Sequence, residues 1–259
     1  MGPEIFTVEI SGNVARCSMN GPGNMNALGM ELGQPMVEGL LGVLSDDAVR
    51  VIVLRGEGGN FCSGADLDLL GENLDPVFLN RSMKALGSIV YRLYNGPKPV
   101  ITEVDGFAVG GGLGLALASD ITYATERALF SMGFIRIAAA PDMGSSYFLV
   151  ERVGLARAKE LAFTGDVIDA EKALRMGLVN RVVDHEEISG EVMELARRIA
   201  RRSPEALAWT KRMMNRSPHL ELQTVLDLES HVQPIMLLSD EHREAIRKIM
   251  ERWNQERKG

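Results

Sequence analysis

An α/β fold with a helical C-terminal region is predicted by three features of the sequence. Segments of strand and helix pattern alternate over the first two thirds of the chain, and the last third is almost entirely helical in pattern. Val51–Leu54 is a continuous apolar run of strand length, which fits a strand covered on both faces, as in a parallel sheet. No fixed-period repeat or low-complexity block breaks this order.

Ile5–Ile10 and Asn13–Ser18 alternate apolar and polar residues around Ser11-Gly12 and read as a β-hairpin. Asn20-Gly21-Pro22-Gly23-Asn24 is a loop of turn formers, after which Asn26-Ala27-Leu28 leads into a helical pattern through Leu40, Leu41 and Leu44. Pro35 places the start of that helix near Gly33, because an interior proline costs about 3 kcal/mol. Beyond Val51–Leu54, a glycine-rich loop over residues 55–66 leads to a short helix, Leu67–Leu70. Pro76–Asn95 is helical, with Phe78, Met83, Leu86, Ile89, Val90 and Leu93 near three-to-four spacing. Gly96-Pro97-Lys98-Pro99 ends it and opens the strand Pro99–Val104. The turn Asp105-Gly106 follows, and Gly110, Gly111 and Gly112 precede a second short helix.

Asp120–Thr125 reads as another strand, whereas Ala128–Ala140 lacks clear periodicity. Pro141-Asp142-Met143-Gly144 is a turn before the helix Ser145–Glu151. Leu155–Thr164, Ala170–Met176 and Glu191–Arg202 are helical, with a strand at Leu178–Val183. Ser203-Pro204 is an N-cap followed by proline at the first helical position. From Leu220 to the Lys258-Gly259 tail the pattern is helical and amphipathic.

With 46% hydrophobic and 24% charged residues over 259 positions, the chain has the composition of a globular domain and ample length for a core. A net charge of −7 argues against a nucleic-acid-coating surface. It leaves room for an anionic small ligand, which a few local cations and backbone N–H groups can hold. Cys17 and Cys62 show no pairing or metal-ligand spacing, so a reducing, cytoplasmic compartment is expected and neither a disulfide nor a metal site. The N-terminus lacks a signal-peptide pattern, and the longest apolar stretch, Phe107–Ala118, is too short and glycine-rich to span a bilayer.

The chemistry concentrates in the two glycine-rich loops. Each runs from a strand into a helix, and each can present bare N–H groups to an anion. Phosphate binding is one possibility, but the Gly-Lys-Ser/Thr ending of a P-loop is missing. Two such loops together suit an oxyanion hole, in which one donor is worth roughly 3–4 kcal/mol of transition-state stabilisation. Singly, each loop reads as a turn before it reads as a site.

Asn26-Ala27-Leu28, then Phe61-Cys62-Ser63-Gly64-Ala65-Asp66-Leu67, then Lys98-Pro99-Val100-Ile101 and Asp105 through Gly112 resemble the crotonase, or enoyl-CoA hydratase/isomerase, superfamily. The match covers essentially the whole chain in order and spacing, including Ala170–Met176 with Gly177-Leu178-Val179. The resemblance implies a spiral of ββα units over residues 1–200 and a helical trimerisation region over 201–259. It further implies a homotrimer or dimer of trimers acting on an acyl-CoA thioester, with no cofactor beyond the CoA of the substrate. By position, the N–H groups of Ala65 and Gly111 would hold the thioester oxygen. Asn26, Ala27, Leu28, Ser63, Gly64, Asp66, Leu67, Gly110 and Phe134 would contact the substrate, with Asp66 serving mainly as a structural or capping carboxylate.

The family's hydratases place two glutamates where this chain has Gly114 and Phe134, which puts two-glutamate hydration in doubt. Asp142 stands instead in a Pro-Asp turn. Such an aspartate can be a helix cap, but the position resembles the catalytic aspartate of family members that isomerise enoyl-CoA or ring-containing acyl-CoA substrates. One carboxylate suffices for a double-bond shift. A dehalogenase-like reading also uses an aspartate here, yet its histidine and tryptophan are missing. His185, His219, His231 and His242 all lie late in the chain, and Phe134 takes the tryptophan position. Two alternatives stay open: a hydratase or hydrolase using water held by Asp142, and a non-catalytic acyl-CoA binder. Met83, Leu86, Met132 and Phe134 would line an apolar pocket or serve as core.

Overall fold

The computed structural model describes residues 4–70 and 75–257. The ends, residues 1–3 and the Lys258-Gly259 tail, lie outside the described residues, as does the stretch 71–74. The hairpin is formed by β1 (Phe6–Ser11) and β2 (Val14–Met19), paired antiparallel. It is followed by α1 (Met30–Ser45), β3 (Val51–Gly56), α2 (Leu67–Leu70), α3 (Pro76–Asn95), β4 (Val100–Val104), β5 (Phe107–Val109) and α4 (Gly111–Leu117). Next come β6 (Ile121–Thr125), β7 (Leu129–Ser131), α5 (Ser145–Val153), α6 (Leu155–Thr164), β8 (Val167–Asp169), α7 (Ala170–Met176) and β9 (Arg181–Val183). The chain closes with α8 (Ile188–Ala200), α9 (Pro204–Arg216), α10 (Leu222–Leu237) and α11 (Asp240–Glu256).

A six-stranded sheet runs β1-β2-β3-β4-β6-β9, parallel from β2 onward, and a three-stranded sheet runs β5-β7-β8. β4 and β5, then β6 and β7, each place one strand in the large sheet and the next in the small one before a helical segment. That is the expected ββα spiral. The turn of the spiral after β3 contributes single bridges, Cys62 with Ala108 and Leu28 with Ala65, in place of a full strand.

Side-chain alternation sorts the large sheet into two faces. Val14, Val51, Val53 and Ile101 meet Val192 and Ala196 of α8 on one face. Ala15, Cys17, Ile52, Leu54, Val100 and Val104 face the main core, which includes Leu40, Ile89, Leu93 and Leu115. Burial pushes both cysteine thiols, Cys17 and Cys62, up to about 12. Both are therefore expected to stay unmodified by a thiol alkylating reagent at pH 8 while the chain is folded, and to react fully in denaturant. Rapid labelling of the native protein would contradict this.

Sequence patterns predict several boundaries closely. α3 begins at Pro76 behind an Asp75 cap that accepts from the N–H groups of Val77 and Phe78. α6 and α7 end at the left-handed Gly165 and Gly177. α1 requires a correction: it starts at Met30, and Pro35 lies inside it. The helix accepts the lost hydrogen bond because its apolar stripe, including Leu32, Met36 and Leu40, is buried in the main core. β5, β7 and β8, each three residues long, carry too little pattern to be read beforehand.

The C-terminal region packs partly on its own core. Lys211 of α9 is 7% exposed and donates to the carbonyls of Leu93 and Lys98 and to Asp120 Oδ2, at 2.6, 2.9 and 2.8 Å. α10 and α11 instead leave apolar side chains such as Leu222, Leu237 and Trp253 exposed.

Candidate active site

Glycine 112 shows how the two loops are joined. A methyl group at this position would stand 2.4 Å from the Cys62 carbonyl oxygen and 2.8 Å from the Cys62 Cβ, so α4 lies directly on the preceding loop. At Gly64 (φ 94°) a Cβ would stand 2.8 Å from the Val109 carbonyl oxygen, which holds the loops together from the other side. Cys62 N–H donates to Phe107 O at 2.8 Å, and Val109 N–H donates to Cys62 O at 3.0 Å. Cys62 pairs with Ala108; Ala65 and Gly111 each lie three residues beyond and hold equivalent positions in successive turns of the spiral.

Gly112→Ala is expected to wedge these loops apart, with an overpacking cost of about 1–3 kcal/mol. Urea unfolding checks it: an unchanged midpoint would mean that the loops part without cost.

The Gly111 N–H belongs to the first turn of α4, where the helix supplies no acceptor. Gly110 holds φ 55° as the cap residue, and its own N–H donates to Ser131 O at 2.9 Å. Among the described residues no backbone acceptor takes the Ala65 N–H. Ala65 is exposed and Gly111 is buried, so the pair runs from the rim inward.

Asp142 comes to this pair from the turn before α5. A Cβ at Gly111 would stand 3.2 Å from Asp142 Oδ1, 3.2 Å from Met143 Cγ and 3.4 Å from Leu28 Cδ1. Asp142 Oδ1 is buried with no hydrogen-bond partner among the described residues. Desolvation holds the carboxyl above the usual carboxylate range. The helix-cap alternative does not describe this side chain, because the cap residue of α5 is Gly144 and no side chain caps it. Only the Asp142 carbonyl engages α5, accepting from Ser145 N at 2.9 Å and Ser145 Oγ at 2.7 Å. Phe134 is buried, with its ring edge 3.6 Å from where a Gly110 Cβ would lie.

Other predicted residues sort into surface and scaffold. Leu28 N–H donates to Gly64 O at 2.6 Å and fixes the edge of the Ala65 loop. Ser63 Oγ donates to Asn24 O, and Leu67 is exposed. Asp66 caps α2, accepting from Asp68 N–H at 3.1 Å. Asn26 differs from the substrate-contacting role expected for it. It is fully buried at φ 56°, its Oδ1 accepts from Gly21 N–H at 2.7 Å, and its Nδ2 donates to Glu57 O and Asn60 O at 3.0 and 2.8 Å. Its side chain ties two loops together, and Ala27 beside it is also buried. Leu86 and Met132 belong to the core, while Met83 is exposed.

Gly114 is the residue whose structural role the sequence conceals. Its Cβ position lies 2.8 Å from Met143 O, so the turn bearing Asp142 rests on this part of α4. Among the described residues no group of three His, Cys, Asp or Glu side chains could hold a metal ion, and no helix is long and apolar enough to cross a membrane.

A ββα spiral with paired glycine loops opening toward one carboxylate defines a crotonase-fold enzyme. The family model for enoyl-CoA hydratase/isomerase matches residues 9–258, and the chain belongs to that family. It is 34% identical to 1,2-epoxyphenylacetyl-CoA isomerase of Escherichia coli strain K12 over 251 residues, 94% of each chain. It is 32% identical to crotonyl-CoA hydratase of Syntrophomonas wolfei over 254 residues, 97% of each. The crystal structure of an enoyl-CoA hydratase from Polaromonas sp. JS666 superposes with a TM-score of 0.90 at 30% identity, covering 95% of this chain and 97% of that one.

Proposed function

We propose that this enzyme shifts a double bond in an enoyl-CoA through a thioester enolate, with Asp142 as the single acid/base. The observation that carries the reading is Asp142 Oδ1, buried, without a hydrogen-bond partner among the described residues and lying against Gly111. The ionised carboxylate takes a proton from carbon 2 of a 3-enoyl-CoA. The electrons move to the thioester oxygen, and the N–H groups of Ala65 and Gly111 stabilise the resulting charge. The same carboxyl group then returns the proton to carbon 4, which leaves a 2-enoyl-CoA. Nothing is consumed, so no cofactor beyond the substrate's own CoA is needed.

Gly110 and Phe134 would border the acyl group, and Leu28, Ser63, Gly64, Asp66 and Leu67 would border the CoA arm. Asn26 and Ala27 would shape that loop from within. The 1,2-epoxyphenylacetyl-CoA isomerase among the relatives supports isomerisation of a CoA ester in general, and the crotonyl-CoA hydratase among them supports a second reading in which Asp142 holds a water for addition to a 2-enoyl-CoA. Residues 201–259 serve assembly as a homotrimer or dimer of trimers, which the exposed apolar side chains of α10 and α11 support. The enzyme would work in the cytoplasm on a soluble thioester.

Assays of the purified enzyme on 3-enoyl-CoA and 2-enoyl-CoA panels separate the two reactions. Isomerised product without added water is expected. Hydrated product as the main outcome would transfer the assignment to the second reading.

A further inference from the structure

Gly111 and Gly114 lie three residues apart on α4 and therefore share a face. The Asp142–Gly144 turn is seated on it. Met143 Cγ approaches the Gly111 side, while a Cβ at Gly114 would meet Met143 O at 2.8 Å, Met143 Cβ at 2.9 Å and Ser145 Cβ at 3.2 Å. Two of these distances are shorter than real contacts allow, and one involves a backbone atom, so any side chain at 114 has to displace the turn.

The turn has little freedom to absorb such a push. Met143, a non-glycine residue, holds φ 51°, and Gly144 follows at φ 69°. Phe148 packs on Gly144 so closely that a Cβ there would stand 2.8 Å from its ring. Ser145 binds the Asp142 carbonyl through both N–H and Oγ. Movement at Met143 is therefore transmitted to Asp142.

We infer that Gly114 is a positioning residue: its bare Cα seats the Met143 backbone, and that seat sets where the Asp142 carboxylate stands over Gly111. The inference rests on Asp142 being the acid/base. It adds a consequence for specificity. The space from which an acid on this face of α4 would hold water is occupied by the backbone of the turn that carries Asp142. A glutamate introduced at 114 would displace Asp142 rather than join it, so hydration by a carboxylate pair is not one substitution away from this enzyme.

The test compares Gly114→Ala, Gly114→Glu and Asp142→Asn with the wild type, measuring kcat, KM and the pH profile of kcat on a 3-enoyl-CoA and the affinity for a saturated acyl-CoA. Gly114→Ala is expected to keep its affinity for the saturated ester and to lose about 10- to 100-fold in kcat, as misplaced catalytic groups do. The acidic limb of its kcat profile is expected at lower pH, because a displaced carboxyl group gains water. Gly114→Glu is expected to show no hydration of 2-enoyl-CoA. If Gly114→Ala does not fold, Gly114→Ala with Met143→Gly frees the turn and is expected to bind the ester with the same loss in kcat. A folded variant with wild-type kcat and an unmoved limb, where Asp142→Asn is inactive, would overturn the positioning role alone. Efficient hydration by Gly114→Glu would do the same. A fully active Asp142→Asn would overturn the acid/base reading and this role with it.

Discussion

Asp142→Asn is expected to lower kcat for double-bond migration by about 10²–10⁴-fold, the range that a positioned acid/base supplies. Binding of the CoA ester should change little, because the N–H groups of Ala65 and Gly111 belong to other loops. Stability should move the opposite way. Burial raises the Asp142 carboxyl group above its unfolded value of 3.8, so in the window between the two values the native state holds a proton that the unfolded chain has released. This contribution to stability is fully present below the unfolded value and is lost as pH rises through the folded one. Above that window the desolvated carboxylate, whose Oδ1 is buried without a hydrogen-bond partner among the described residues, costs the wild type stability, and Asp142→Asn is expected to be the more stable protein. Urea unfolding at pH 7 together with kcat checks both signs. A variant that is less stable and still active would show Asp142 to be a structural residue.

The second large effect is expected at Lys211. Lys211 is 5% exposed in its side chain and its ammonium group is the joint among α9, the end of α3 and the start of β6. Burial pushes its pKa down while Asp120 pushes it up, and Asp120 is raised by burial and lowered by Lys211. Lys211→Met leaves Asp120 without its hydrogen-bonded cation, with only the weaker influence of Arg152, and the Leu93 and Lys98 carbonyls without this donor. Breaking a buried pair in this way costs about 3–5 kcal/mol. Adding Asp120→Asn should recover part of the loss, since the residual buried charge disappears and the two sites are coupled. Denaturant midpoints of the two single variants and the double variant decide this. Strict additivity would mean that the pair contributes no coupling of its own.

These two residues differ in how far the sequence announces them. Asp142 is legible as an acid in a turn at the right distance along the chain, and the glycine loops are legible because Gly64 and Gly110 hold positive φ angles that glycine adopts without strain. Lys211 reads as one more charge on an amphipathic helix. Its role depends on three acceptors, one in each of three segments that come together only in the folded chain. The long helix α3 is read well, since it carries its own Asp75 cap, Pro76 start and apolar spacing, whereas the interior Pro35 hides the start of α1. β5, β7 and β8 are not, because pairing across the small sheet defines them more than local pattern does. The same limit applies within the cleft. Asn26 looks like a contact residue in sequence but its side chain is buried and ties two loops together, while Gly114 looks like a missing acid and lies against the backbone of the turn that carries Asp142.

The most direct test of the central claim is a crystal structure of the Asp142→Asn variant with a 3-enoyl-CoA bound. The expected result has the thioester oxygen about 2.7–3.1 Å from both the Ala65 and Gly111 nitrogens. The side chain at 142 should then reach carbons 2 and 4 at about 3–3.5 Å. A thioester oxygen held elsewhere, or a water fixed between residue 142 and carbon 3, would contradict the account.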